Sequence, residues 1–353
     1  MRDHRPRVRP DAAFPVRMLA LDIDGTLIGP DMELSPRLVA ALGEAVARGI
    51  KVSLATGRMP SSAVVFANRL GLVEPIIGHQ GAMVRAMPSR REPGGPDADI
   101  GARRGRVGRI LSHQPMAPDV IADAVRWCRA NGLSPHLNTV ERMIVQKGDP
   151  NFADYSAYLG RDAETVRDLT VDITMPMTKV IAVGEPGRPM ALIEEARRLF
   201  AGRASPTVSH PRFLEFVAPG VSKGRAVAWL AHRAGIGMGH VLAMGDALND
   251  VEMIMDTGHG AAMASAPAEV RVAGRYIAAP VEQDGAAALI EAIVLAPPEE
   301  AVRNAARLEA EARAVQAGLR AVLAGGTAPA WTGSDVLPGS PEAAPELAEV
   351  SAP

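Results

Sequence analysis

Short apolar runs that stop abruptly at polar, glycine-bearing turns constrain this chain more than any other feature of it. Leu19-Ala20-Leu21 gives way to Asp22-Ile23-Asp24-Gly25-Thr26, and Val52-Ser53-Leu54-Ala55 to Thr56-Gly57-Arg58. Further on, Val241-Leu242-Ala243-Met244 gives way to Gly245-Asp246-Ala247-Leu248-Asn249-Asp250. Continuous apolar runs of this length read as strands buried on both faces. Helical patterns lie between them, over residues 35–48, where Ser35 caps and Pro36 takes the first position, and over residues 61–70. Strands at 17–21, 50–55 and 75–78 alternating with those helices predict an α/β fold, a parallel sheet with helices on both faces. Ligands of such sheets bind beyond the carboxyl ends of the strands, which is where these polar turns fall.

From residue 106 to 216 the pattern changes. Helices are expected at 117–131 and 189–201, among short strands at 135–139, 142–146, 179–183 and 212–217. That reads as an α+β insertion, an open antiparallel sheet with helices on one face. The α/β rhythm then resumes with a helix at 223–234, strands at 240–244, 260–263 and 276–278, and a helix at 285–294. The expected division is a core of residues 16–84 and 217–297 and an inserted cap of residues 85–216, which begins with an aperiodic loop over 87–106. A helix is expected over 298–323, with Ala305, Leu308, Ala312, Val315 and Leu319 forming one apolar face that packs on the chain's own core. Residues 1–15, rich in Arg and Pro, read as a disordered leader, and residues 324–353, rich in Ala, Pro, Gly and Ser, as a disordered tail.

Composition removes several functional classes. A net charge of −2 with 3% aromatic residues argues against a nucleic-acid partner. No apolar run reaches the roughly 18 residues a membrane helix needs, and the Arg- and Pro-rich residues 1–10 do not read as a secretory signal. The single cysteine, Cys128, excludes an intrachain disulfide and suits the cytoplasm.

The turns themselves carry the chemistry. Two carboxylates two residues apart, Asp22 and Asp24, disfavour each other's ionisation unless a cation or a shared proton relieves them. A hard cation such as Mg²⁺ suits such oxygen ligands. Alone, the pair also reads as an ordinary acidic turn. Thr56 and the amides beside it, Gly57 among them, offer donors to a phosphoryl oxygen or simply cap a turn. Lys223 opens a helix, where the dipole disfavours a cation and an anionic partner would offset that penalty. Asp246, Asn249 and Asp250 supply three oxygen-bearing side chains in metal-ligand fashion, or cap the helix that follows.

Taken in order, Asp22-Ile23-Asp24-Gly25-Thr26, Ala55-Thr56-Gly57-Arg58, Val221-Ser222-Lys223-Gly224 and Gly245-Asp246-Ala247-Leu248-Asn249-Asp250 resemble the motifs of the haloacid-dehalogenase-like hydrolases. The resemblance is narrower still to the Cof-type phosphatases, which insert a large α/β cap between the second and third motifs. It implies a Rossmann-like core with an inserted α+β cap, and a phosphatase acting on small phosphorylated metabolites, such as sugar or cofactor phosphates. It also implies Asp22 as the nucleophile that becomes an aspartyl-phosphate and Asp24 as general acid and base. Thr56, Gly57 and Lys223 would bind the phosphoryl group. Mg²⁺ would be held by Asp22, the Asp24 carbonyl and Asp246, with Asn249 and Asp250 orienting or supplementing them. A sugar-phosphate mutase or a non-catalytic binder of phosphorylated metabolites are the other readings. One departure stands out: many relatives carry Asn-Gly-Ala after the third strand, where this chain has Gln80-Gly81-Ala82.

Overall fold

The computed structural model describes residues 9–88, 105–152, 163–171 and 175–325. Residues 1–8 of the expected leader, 326–353 of the expected tail and 89–104 of the aperiodic loop lie outside them.

Met18–Leu21 runs between Val241–Gly245 and Lys51–Leu54, parallel to both, with Leu21 opposite Met244 on one side and Leu54 on the other. His259–Met263 and Tyr276–Ala278 extend the sheet, again in parallel. The period-two alternation of a strand explains why the runs are apolar throughout. Leu19, Leu21, Leu54 and Met244 point into one core, shared with Leu38 and Leu42 of the helix Pro36–Ala47. Met18, Ala20, Val241 and Ala243 point into the opposite one, shared with Val227 and Leu230 of the helix Lys223–Arg233. Ser35 caps the first of these helices, its hydroxyl accepting from the Leu38 amide at 3.1 Å, and Pro36 takes the first position as expected.

A second sheet of six strands has the order Ser205–His210, Phe213–Val217, Lys179–Val183, Ser134–Asn138, Met143–Gln146, Glu164–Val166. Its first five strands are antiparallel neighbours, but Glu164–Val166 joins Met143–Gln146 in parallel. The expected antiparallel sheet is therefore mixed. Its edge strand escaped notice because it has three residues and no buried side chain to set a pattern. Helices Pro118–Ala130 and Arg188–Leu199 cover one face, over Leu137, Val180, Leu214 and Phe216. The other face presents Met143, Ile181 and Phe213, which pack on Met59 just beyond the Thr56-Gly57-Arg58 turn. That contact sets the second sheet as a roof over the carboxyl ends of the first.

A third, antiparallel sheet joins Ile76–Gly78, Met83–Arg85 and Ile110–His113, of which the last two strands were not expected. Residues 9–15 are not a free leader either. The Ala13 amide donates to Gly239 O, and the Phe14 ring meets the His259 ring edge-on, 4.7 Å between centroids. At the other end, Pro298–Ala324 is one helix. Its buried stripe is Ala301, Ala305, Ala312 and Gln316, while Val315, expected on that face, is 48% exposed. The i+4 step from Ala312 lands on Gln316, whose amide donates to the carbonyls of Arg271 and Gly274, 2.8 Å each. No helix among the described residues is long and apolar enough to cross a membrane.

Candidate active site

Three neighbouring parallel strands deliver the site. Asp22 follows Met18–Leu21, its amide donating to Met244 O, and Asp246 follows the adjacent Val241–Gly245. Thr56 follows Lys51–Leu54 on the other side, where its amide donates to Ile77 O. Gly25 lets the two acidic turns meet. It sits at φ +72°, and a Cβ there would lie 2.2 Å from Asp246 Oδ2, so only glycine admits the carboxylate.

Lys223 is the hub of the charged groups. It is buried at the start of the helix Lys223–Arg233. Its ammonium donates to Asp22 Oδ1 at 2.8 Å and to Asp250 Oδ1 at 2.6 Å. Burial would favour the neutral amine, but the two carboxylates outweigh it and hold Lys223 charged. Asp250 spends its other oxygen on the amides of Asp246 and Ala247, at 3.1 and 3.0 Å, and so fixes the acidic loop. Carboxylate oxygens of Asp22, Asp246 and Asp250 lie within 4.8 Å of one another.

Such crowding shifts titration. Burial pushes the Asp22 carboxyl up to about 7, opposed by Lys223 and reinforced by Asp250 and Asp24. Asp246 is raised well above the ordinary carboxylate value, by burial first and then by Asp22 and Asp250. Four carboxylates here meet two side-chain cations, Lys223 and Arg58, which leaves an excess of negative charge. A divalent cation fits that excess, and the donors are all oxygens, as a hard ion requires. Asn249 Oδ1 adds a buried oxygen that accepts no hydrogen bond among the described residues.

Arg58 is the residue whose role sequence reasoning missed, although it stands in the Thr56-Gly57-Arg58 turn. It is buried, and its guanidinium grips Asp24 with two bonds, Nε to Oδ2 at 2.8 Å and Nη2 to Oδ1 at 2.5 Å. Thr56 is buried too; its Oγ1 accepts from the Arg58 amide at 3.1 Å, which leaves its own proton to give. Gly57 turns its carbonyl to the roof, where Lys179 Nζ donates to it at 2.8 Å. Lys179 pairs with Glu215 at 2.5 Å, both buried on the face of the second sheet that looks down on the site. A signal for this pair existed: a glutamate in the middle of the otherwise apolar Phe213–Val217. Asn249 Nδ2 donates to Gln80 Oε1 at 2.7 Å. His210 ends the strand Ser205–His210 opposite Phe213, and Arg212 sits in the turn that follows, where it donates to Asn151 Oδ1 at 2.9 Å.

Residues 19–92 and 105–290, well over half of the chain, match a family model described as haloacid dehalogenase-like hydrolase. The HMP-PP phosphatase of Serratia proteamaculans (strain 568) is 27% identical over 250 residues, 71% of this chain and 84% of that protein. A haloacid dehalogenase-like hydrolase structure from Bacteroides thetaiotaomicron aligns with a TM-score of 0.63 at 26% identity, over 78% of this chain and 99% of that one. A Bacillus subtilis structure of the same description aligns at 0.65 and 18% identity, over 78% and 99%, a likeness of fold.

Proposed function

The chain belongs to the haloacid dehalogenase-like hydrolase family, and from that premise we propose that it is a Mg²⁺-dependent phosphatase of small phosphorylated metabolites working through an aspartyl-phosphate on Asp22. The observation that carries this reading is the meeting of Asp22, Asp246 and Asp250 around the buried Lys223 ammonium. Asp22 and Asp246 would hold the cation together with the Asp24 carbonyl. Asn249 Oδ1 is available to it, while Asp250, with both oxygens engaged, keeps the loop in shape. Bound Mg²⁺ would neutralise charge on Asp22 and on the transferring group, the repulsion that otherwise makes a carboxylate a poor nucleophile towards a phosphate dianion.

In the first displacement a carboxylate oxygen of Asp22 forms a bond to phosphorus as the ester P–O bond breaks, and Asp24 gives its proton to the leaving oxygen. In the second, Asp24 takes a proton from water, the water oxygen bonds to phosphorus, and the bond to Asp22 breaks. Lys223 holds Asp22 in place and Thr56 donates its hydroxyl proton to a phosphoryl oxygen. For Asp24 to exchange protons it must loosen its grip on Arg58, so substrate entry and that ion pair compete. The roof, closing over the strand ends, favours leaving groups small enough to be enclosed.

Phosphate release from a panel of sugar, nucleotide and cofactor phosphates, with Mg²⁺ and with chelator, tests the reading. Release that requires Mg²⁺ is expected. Folded protein silent across the panel would sink it, and isomerisation activated by a sugar bisphosphate would move the assignment to a mutase.

A further inference from the structure

Gln80 occupies a backbone conformation that side chains rarely adopt, φ +61° and ψ +23°. A strained residue persists where its surroundings hold it, and here both ends of the amide are held. Nε2 donates to Glu215 Oε1 at 2.7 Å, and Oε1 accepts from Asn249 Nδ2 at 2.7 Å. Gln80 is buried, and its amide lies against Gly57, where a Cβ would come within 2.5 Å of Nε2. Its length matters, because asparagine at this position would be one methylene short of spanning Glu215 and Asn249.

The polarity of this chain of bonds is fixed from the roof downward. Glu215, paired with Lys179 and also taking a bond from Ser209 Oγ, only accepts. It therefore demands the NH₂ end of Gln80. The carbonyl of Gln80 is thereby turned to Asn249 and demands its NH₂ end in turn. What remains is Asn249 Oδ1, a buried oxygen without a hydrogen-bond partner among the described residues, in the loop between Asp246 and Asp250. Lys179 and Glu215 lie on adjacent strands of the second sheet, while Asn249 lies in the acidic loop of the first. Among the described residues, Gln80 joins the two by side-chain bonds to both.

We propose that Gln80 is a positioning residue that transmits the orientation of the Lys179–Glu215 ion pair to Asn249, so that docking of the roof presents Asn249 Oδ1 to the cation. The proposal rests on the cation site described above and goes beyond it, because it makes determinants of metal affinity of two roof residues whose bonds run to Gly57, Gln80 and Ser209.

The experiment is calorimetric titration of the full chain with Mg²⁺ alone, for wild type, Q80M, K179M/E215M and the triple variant. Q80M keeps the side chain's size and loses both bonds. K179M/E215M replaces the buried pair with apolar groups of similar volume, a change that buried pairs tolerate. Q80M is expected to weaken Mg²⁺ binding roughly tenfold, the scale on which residues supporting metal ligands act. K179M/E215M should weaken it comparably, and the triple variant no further than Q80M, because one path is cut in each case. Wild-type affinity in K179M/E215M, effects that add in the triple variant, or wild-type protein that takes up no Mg²⁺ would each overturn the proposal. If Q80M fails to fold, Q80N tests the same step. Hydrolysis of p-nitrophenyl phosphate by wild type, measured alongside, separates the two readings. Silence there contradicts the phosphatase while the calorimetry still decides the relay.

Discussion

At the scale of single residues, Lys223 carries the most. It lies buried against two carboxylates at a helix start, a place that would repel it without them. K223M would leave Asp22 and Asp250 facing each other uncompensated. Removing one partner of a buried ion pair costs about 3–5 kcal/mol, so urea unfolding of metal-free K223M should show a loss on that scale. An unchanged midpoint would mean that the acids are protonated and need no cation. D22N should lower phosphate release by about a thousandfold or more while the protein stays folded, the size of effect seen when a nucleophile is removed. Most of these residues were legible before any geometry, because carboxylates and a threonine stood at strand ends where such sheets bind ligands, and a lysine stood at a helix start that disfavours it. Arg58, Lys179 and Glu215 were not, since their roles depend on partners 34, 122 and 36 positions away along the chain. Spacing in sequence cannot register contacts of that kind.

Among the elements, the strands buried on both faces were the most legible and the short strands set by their pairing partners the least. Lys179–Val183 and Tyr276–Ala278 agree with their expected limits, and Met18–Leu21 differs by one residue, because burial on both faces leaves an unbroken apolar run. Met83–Arg85 and Ile110–His113 are set by pairing partners rather than by their own pattern, so nothing in their few residues announced them. The last helix illustrates a different limit. Its apolar face was read with Val315, but the buried position is Gln316, which closes the carbonyl ends of Arg271 and Gly274. Q316A would take the side-chain donor from both carbonyls, leaving Arg271 O only the Gly274 amide, and should destabilise the fold by about 1–3 kcal/mol without altering turnover. Thermal unfolding together with a steady-state assay checks this, and an unchanged melting temperature would mean that the contact contributes nothing.

For the whole molecule, the electrostatics of the site tie stability to pH and to metal. Burial raises Asp22 and Asp246 in the folded, metal-free chain above their ordinary values. Between about pH 4 and about pH 7 the folded state therefore binds more protons than the unfolded one. Stability from these groups is fully present below that window and is lost as pH rises through it. Mg²⁺ bound by these carboxylates would compete with those protons, so it should raise the melting temperature more at pH 8 than at pH 5. A gain that is equal at both pH values would separate the cation from these carboxyls. The roof depends on the same centre, since its face packs on Met59 and its Lys179 reaches the Gly57 carbonyl.

The most direct test of the central claim is chemical capture of the covalent intermediate. Wild-type protein turning over a phosphate ester with Mg²⁺ would be quenched with borohydride, which reduces an acyl phosphate to the alcohol and so converts the aspartate to homoserine, and then mapped by peptide mass. Homoserine is expected at position 22, dependent on both substrate and Mg²⁺ and absent from D22N. Rapid phosphate release with an unmodified Asp22, or capture at another residue, would contradict it.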